Sequence, residues 1–400
     1  MLFNNVNAQD CFCEKDLEFF YNEIQNTISY KDQIKGSRKV AFDEAYNQII
    51  KNITCAETEF DCFVLLNKLS YLIDDEHARL RTIPKILSSE NYNDKDVIET
   101  YRSSDEFLKF PKANISIDSL ETALKNISIN QIEGIYYKEG FKVGVFKPYN
   151  KNYYEAVVLS APFEIWNRGQ LMFRLVLLKE NNYKYYHAHL KDKRWLAISN
   201  ERFINGRLIQ LNWKKDTLQT DYYLVNQKTT FEYKKIKNEI SYVKLGSFGM
   251  QSKNQREAEA FLKELKSKTF EKNLIIDLRN NTGGGDKVSK PFEKLLEREF
   301  KYGLIYILVN SKTASNAEIF SQRMRENKNV KIIGHSSAGT LSYGSNYGNR
   351  ITLPSGKYYF KFTDMNFSKY IDYEGKGIPV DVELNLNQDW INQVVNLIED

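Results

Sequence analysis

The chain has 400 residues, 57 basic against 52 acidic, a net charge of +5, and 42% hydrophobic residues. That length is too great for one core, so two or three domains are expected, and the apolar and charged content is that of an ordinary soluble globular protein. The basic residues are scattered, which argues against a nucleic-acid partner, and no apolar run reaches transmembrane length, which argues against a membrane span.

The first eight residues end in Val6-Asn7-Ala8 before Gln9. This small-residue cleavage pattern predicts that 1–8 is the remnant of a signal peptide and that the mature chain starts near Gln9. All four cysteines, Cys11, Cys13, Cys55 and Cys62, lie in the first 62 residues. They lack Cys-x-x-Cys spacing and the nearest histidine is His77, so zinc is poorly supported. Two disulfides stapling the N-terminus to a helical hairpin fit better, in an exported protein; four reduced buried thiols are the alternative.

Residues 14–73 read as helices. Leu17, Tyr21, Ile24 and Ile28 form one apolar stripe, Phe42, Tyr46, Ile49 and Ile50 a second, and 62–73 a third. A helical domain over 9–110 follows. A short helix is expected over 116–126, capped by Ser116 or Asp118. The character then changes: short β-type runs at 142–146, 154–159, 171–178, 183–190, 195–198, 207–213 and 222–225 are punctuated by Gly, Asn and Lys. Runs at this spacing predict an all-β, barrel-like domain over 111–235. His187 and His189 would face one side of a strand, but they have no acidic or cysteine partner nearby, and no metal site is expected.

From residue 236 strands and helices alternate: a strand at 240–245, a helix at 255–266, a buried strand at 274–278 running into Gly283-Gly284-Gly285, an apolar strand at 303–309, and a helix opening at Ser315. Repeated βα units predict an α/β layer architecture over 236–400. Both strand-to-loop junctions can aim backbone N–H groups at a ligand, and a serine at a helix start lies beside the positive end of the helix dipole. By themselves, a serine there is most often an N-cap and three glycines a flexible turn. Together they could also form an oxyanion hole around a serine nucleophile.

Asp277-Leu278-Arg279-Asn280-Asn281-Thr282-Gly283-Gly284 resembles the Asp-Leu-Arg-x-Asn-x-Gly-Gly signature of the tail-specific (C-terminal-processing) serine peptidases, the family that also holds the tricorn core protease. Thr313-Ala314-Ser315-Asn316-Ala317-Glu318 is similar to that family's nucleophile motif, and the likeness runs roughly over 239–384. The resemblance implies a Clp-protease/crotonase-like β-α catalytic core in a multidomain α/β protein. It implies Ser315 as nucleophile and the N–H groups of Gly283 or Gly284 and of Asn316 as the oxyanion hole. Many relatives carry a PDZ domain ahead of the core; no Gly-Φ-Gly-Φ carboxylate loop is found in this chain, so a barrel is expected instead.

A serine hydroxyl needs a base at neutral pH. The processing branch uses a lysine about two dozen residues after the serine, where this chain has Thr340. Asp74-Asp75-Glu76-His77 resembles the helical segment of the tricorn-like branch, which implies His77 as base. Glu374 stands where that branch has its orienting glutamate. Glu76 departs from the serine found beside the tricorn histidine, and His335 is the reserve base. The expectation is therefore a serine endopeptidase acting on exported proteins or peptides through Ser315, His77 and Glu374, with polypeptide substrates and no metal or organic cofactor. A non-catalytic peptidase-like protein that holds a peptide or apolar ligand is the alternative.

Overall fold

The computed structural model describes residues 11–53, 58–218, 220–224, 229–237, 239–300 and 303–399. The expected signal remnant over 1–8, Cys55 and Val225 lie outside the described residues. The chain forms two compact units, Met1–Thr217 with Tyr343–Asn366, and Leu218–Ser342 with Phe367–Asp400.

The first unit opens with helices Phe12–Ile24, Ile28–Gln33, Ser37–Lys51 and Glu59–Ser70. Thr27 and Thr58 cap two of them through side-chain oxygens that accept from Tyr30 N–H and Asp61 N–H, satisfying donors that a helix start leaves without partners. The buried stripe Leu17, Phe20 and Ile24 joins Phe60, Phe63 and Leu66 in one core. A Cys13–Cys62 disulfide ties the first helix to the fourth, and among the described residues no cysteine is free. The expected helix near Ser116 is present as Ile117–Leu124, with Ser116 accepting from Ser119 N–H. Helix Lys95–Ser103, not among the expected elements, is capped by Asp94.

Six strands then run as a meander: Gly134–Lys138, Phe141–Phe146, Tyr153–Ser160, Leu171–Lys179, Asn182–Ala188 and Trp195–Glu201. The nine-stranded antiparallel sheet is completed on the far side of Gly134–Lys138 by Trp213–Lys214, Arg207–Leu208 and Phe203–Ile204. Its two end strands, Trp195–Glu201 and Phe203–Ile204, are separated in the chain by Arg202 alone, so the sheet must curl until it nearly closes. The Glu201 carboxylate also accepts from Gln210 N–H at 2.8 Å and Leu211 N–H at 3.2 Å. The barrel-like domain is thus present, with two changes of detail. The run at 207–213 is two short strands rather than one, folded back at Asn212, whose φ of 57° belongs to the left-handed region. Tyr222 to Leu224 form no strand, because Tyr223 is spent on holding a loop of the second unit.

Strand Arg79–Thr82, which starts two residues after His77, pairs antiparallel with Tyr358–Lys361, which pairs in turn with Arg350–Thr352.

The second unit is built on a six-stranded sheet in the order Phe231–Lys237, Ile240–Leu245, Asn273–Asp277, Ile305–Val309, Val330–Gly334, Val382–Glu383. The first pair is antiparallel and the rest are parallel. Helices Ser252–Leu265, Asp286–Glu299 and Asn316–Met324 make the crossovers. Strands covered on both faces must be apolar throughout, which is why Leu274, Ile275, Ile276 and Ile305 to Val309 are all buried. In such a sheet the loops at the carboxyl ends of the parallel strands form the ligand crevice. Both motifs sit there.

Candidate active site

The strand Asn273–Asp277 ends on a carboxylate that is fully buried. Arg279 donates to it from Nε at 3.0 Å and Nη2 at 2.6 Å, and the Tyr242 hydroxyl donates at 2.9 Å. Arg279 Nη1 reaches the Tyr222 carbonyl at 2.8 Å, and its guanidinium lies 5.3 Å from the Trp390 ring centre. A buried ion pair with this many partners holds a strand end in one geometry. The Asp-Leu-Arg part of the first motif is thus scaffold.

Asn281 fixes the glycine turn. Its Nδ2 donates to the Leu245 carbonyl (2.8 Å), its Oδ1 accepts from Gly283 N–H (2.9 Å), and its carbonyl accepts from Ala314 N–H (3.0 Å). The glycines that follow are required by close approach. A Cβ on Gly283 would lie 2.6 Å from the Ala314 carbonyl, 2.8 Å from Asn316 N and 2.8 Å from Ser315 Cβ; one on Gly284 would lie 1.7 Å from the Phe248 carbonyl. Of the two glycine amides expected as anion donors, that of Gly283 is taken up by Asn281. Among the described residues the Gly284 N–H donates to no protein group.

Ser315 immediately precedes helix Asn316–Met324 and has φ 56° and ψ −125°, a conformation a non-glycine residue holds only under constraint. The constraint is Glu318, buried and three residues on. Its Oε2 accepts from Ser315 N–H at 2.8 Å and Thr340 N–H at 2.9 Å, while its Oε1 accepts from Gly339 N–H at 2.8 Å and the Ser337 hydroxyl. Burial raises the carboxyl's pKa, and these hydrogen bonds pull against that rise. Thr340 Oγ1 accepts from Ser315 N–H at 3.2 Å, so the position expected to hold lysine in the processing branch serves the backbone of Ser315 instead.

The loop after Thr340 leads to Glu374. This residue is buried and its Oε2 accepts from Leu341 N–H (2.9 Å) and Ser342 N–H (2.8 Å); Oε1 takes part in neither bond. Gly339 packs on the Gly375–Gly377 backbone, where a Cβ would lie 2.5 Å from Gly377 N. Ser315, Gly283, Gly284, Asn316 and Glu374 are therefore gathered within the second unit around one hydrogen-bonded loop system.

His77 belongs to the first unit. Its N–H donates to Asp75 Oδ1 at 3.1 Å, as does Ala78 N–H at 3.0 Å, and Asp75 Oδ2 accepts from the Thr363 hydroxyl at 2.6 Å. This buried carboxylate sets the turn that leads into Arg79–Thr82. Burial, together with the positive charges of Arg79 and Lys361, pushes the His77 imidazole down to about 3. Glu76 lines a small cavity in the same unit with Lys184 and Arg79. The reserve base His335 is buried in strand Val330–Gly334's extension: Nε2 lies 2.8 Å from the Leu384 carbonyl and Nδ1 lies 3.0 Å from Glu383. His187 Nδ1 lies 3.4 Å from the Ala188 carbonyl; His189, expected to share its strand face and to lack an acidic partner, instead lies past the end of strand Asn182–Ala188 with Nδ1 2.9 Å from Asp192.

Three contributors have no role that the sequence alone assigns: Glu318, Asn281 and Asp286. Only Glu318 carries a local signal, a glutamate three residues after a serine at a helix start.

Residues 239–296 and 289–384 match the family model for peptidase family S41. No curated protein sequence matches the chain. Among solved structures, a lipoprotein from Streptococcus agalactiae is similar at 18% identity over 43% of this chain and 70% of its own, with a TM-score of 0.31. The photosystem II D1 C-terminal processing protease shares 13% identity over 97% of both chains with a TM-score of 0.37. Mature CPAF shares 10% over 97% of this chain and 96% of its own with a TM-score of 0.43.

Proposed function

We propose that this chain, whose residues 239–296 and 289–384 match the model of peptidase family S41, is a serine endopeptidase that works through Ser315, His77 and Glu374. Ser315 Oγ attacks the carbonyl carbon of a peptide bond while its proton passes to the His77 ring. The oxyanion that forms is held by the N–H groups of Gly284 and Asn316. His77 then gives the proton to the departing amine, and water repeats the sequence to release the acyl group as a carboxylic acid and restore the serine. Glu374 orients the His77 ring. The substrate is polypeptide, and no step draws on a metal or organic cofactor.

The observation that carries this reading is the left-handed backbone of Ser315, held by Glu318 and Thr340 and faced by a glycine that no larger residue could replace. Strain of this kind costs about 1–3 kcal/mol and gathers at reacting residues. The Cys13–Cys62 disulfide supports an exported protein.

A second reading, a peptidase-like protein that only binds peptide, is favoured by Thr340 standing in place of the lysine base. A fluorophosphonate probe separates the two. The enzyme reading expects intact mass to rise by one adduct that maps to Ser315 and is absent in Ser315→Ala. A wild-type protein that stays unlabelled and cleaves no fluorescently labelled casein overturns it.

A further inference from the structure

The turn Gly283 to Gly285 ends on Asp286, the first residue of helix Asp286–Glu299. Its side chain turns toward the helix that Ser315 precedes. Asp286 Oδ1 accepts from Asn316 Nδ2 at 2.8 Å and from Arg323 Nη1 at 2.9 Å, and Oδ2 accepts from Arg323 Nη2 at 3.1 Å; Lys290 Nζ lies 2.9 Å from Oδ2. Arg323 is also 3.6 Å from Glu293, two turns further along helix Asp286–Glu299. These cations and the Asn316 amide hold the Asp286 carboxyl well below the usual carboxylate range against the opposing effect of burial.

We propose that Asp286 is a positioning residue for the oxyanion hole, acting through the side chain of Asn316. The inference rests on the catalytic reading above, in which Asn316 N–H is one of the two anion donors. Asn316 is buried and its Oδ1 has no hydrogen-bond partner among the described groups. A free amide would turn to satisfy both ends. This one is fixed by an anion at its nitrogen end, because the reverse orientation would set a carbonyl oxygen against a carboxylate. Arg323 makes the clamp rigid: it grips both Asp286 oxygens from two turns along the same helix that carries Asn316, so the first turn is tied to the third through one carboxylate. Asp286 also follows Gly283 with only two residues between them, and the missing Cβ of Gly283 lets Asn316 N approach. The two amides assigned to the anion, Gly284 N–H and Asn316 N–H, therefore lie on segments that Asp286 ties together.

The test is the second-order rate of fluorophosphonate labelling at Ser315, read beside steady-state cleavage of labelled casein and the thermal midpoint. Asp286→Ala is expected to lower labelling and kcat at least tenfold with KM within about twofold. Asn316→Ala, which keeps its own N–H, should fall similarly, and the double variant should be no more than about twofold worse than either. Asp286→Asn keeps one oxygen for Asn316 while weakening the Arg323 grip, and should fall between wild type and Asp286→Ala; it also stands in if Asp286→Ala does not fold. A folded variant labelled within twofold of wild type, or losses that multiply in the double variant, overturns the positioning role while Ser315 remains the nucleophile. A wild type that cannot be labelled removes the catalytic reading and this inference with it.

Discussion

Gly283 and Ser315 approach so closely that a methyl group on the glycine would sit 2.8 Å from Ser315 Cβ, and Gly283 itself has φ 89°. Two separate motifs thus meet through the atom one of them lacks. Gly283→Ala is expected to lose about 2 kcal/mol or more of stability from backbone strain and overlap with the Ala314 carbonyl. Fluorophosphonate labelling should fall at least a hundredfold. Denaturant unfolding and labelling rate check the two parts; an Ala variant with wild-type labelling would show that the approach is dispensable.

Glu318 gathers the backbone of the serine turn and of the loop through Gly339 and Thr340 around one buried carboxylate. Glu318→Gln replaces an acceptor oxygen with a donor that must face N–H groups. The expected loss is about 3 kcal/mol, because buried donors are left without partners. Urea titration measures it, and a change under about 1 kcal/mol would contradict the anchoring role of Glu318.

Glu374→Gln can still offer an oxygen to Leu341 and Ser342 N–H, so the loop should keep its shape. If the other oxygen orients the base, kcat on labelled casein should fall about a hundredfold or more with little change in KM. Equal falls in stability and activity would instead mark Glu374 as a loop anchor alone.

His77 is held neutral, with its pKa lowered from 6.5 to about 3. A depressed folded value means that the unfolded chain binds more protons between those two pH values. The stability tied to neutral His77 is therefore complete above pH 6.5 and is lost as pH falls toward 3. His77→Gln, which cannot take up that proton, should show a smaller drop in thermal midpoint between about pH 7 and pH 5 than wild type. Parallel curves would mean that His77 titrates normally in the folded protein.

The Cys13–Cys62 bridge spans 49 residues and joins the first and fourth helices. Closing a loop of that length restricts the unfolded chain by about 4 kcal/mol in the chain-entropy account. The Cys13→Ser, Cys62→Ser double variant should lose stability of that order in denaturant unfolding monitored by far-UV circular dichroism.

Much of the fold is legible in local pattern. Alternating β runs between Phe141 and Glu201 are hairpins of the curled sheet, and the apolar runs around Ile275 and Ile307 are central parallel strands. The run at 207–213 looks like one strand because its reversal depends on Asn212 adopting a left-handed backbone, which composition barely signals. Tyr222 to Leu224 have the composition of a strand, but Tyr223 gives its carbonyl to Asn310 Nδ2 and its hydroxyl to Ser311 N–H, long-range bonds that override β propensity. Helix Asp286–Glu299 is absent from the expected elements although its apolar face, Val288, Phe292 and Leu295, follows helical spacing, because the preceding glycines signal a loop.

By itself the sequence determined the chemical parts: a serine at a helix start, a glycine turn after a buried strand, and side-chain spacings that choose helix or strand. These depend on neighbours in the chain, and local pattern records such neighbours. Only the tertiary structure decided that Asn281 reaches the Leu245 carbonyl, that Glu318 also gathers Gly339 and Thr340, and that Asp286 grips Asn316 and Arg323. Those bonds join groups that are brought together by strand ends meeting on one edge of a parallel sheet, and hydrogen bonding across such distances leaves no periodic trace in the chain.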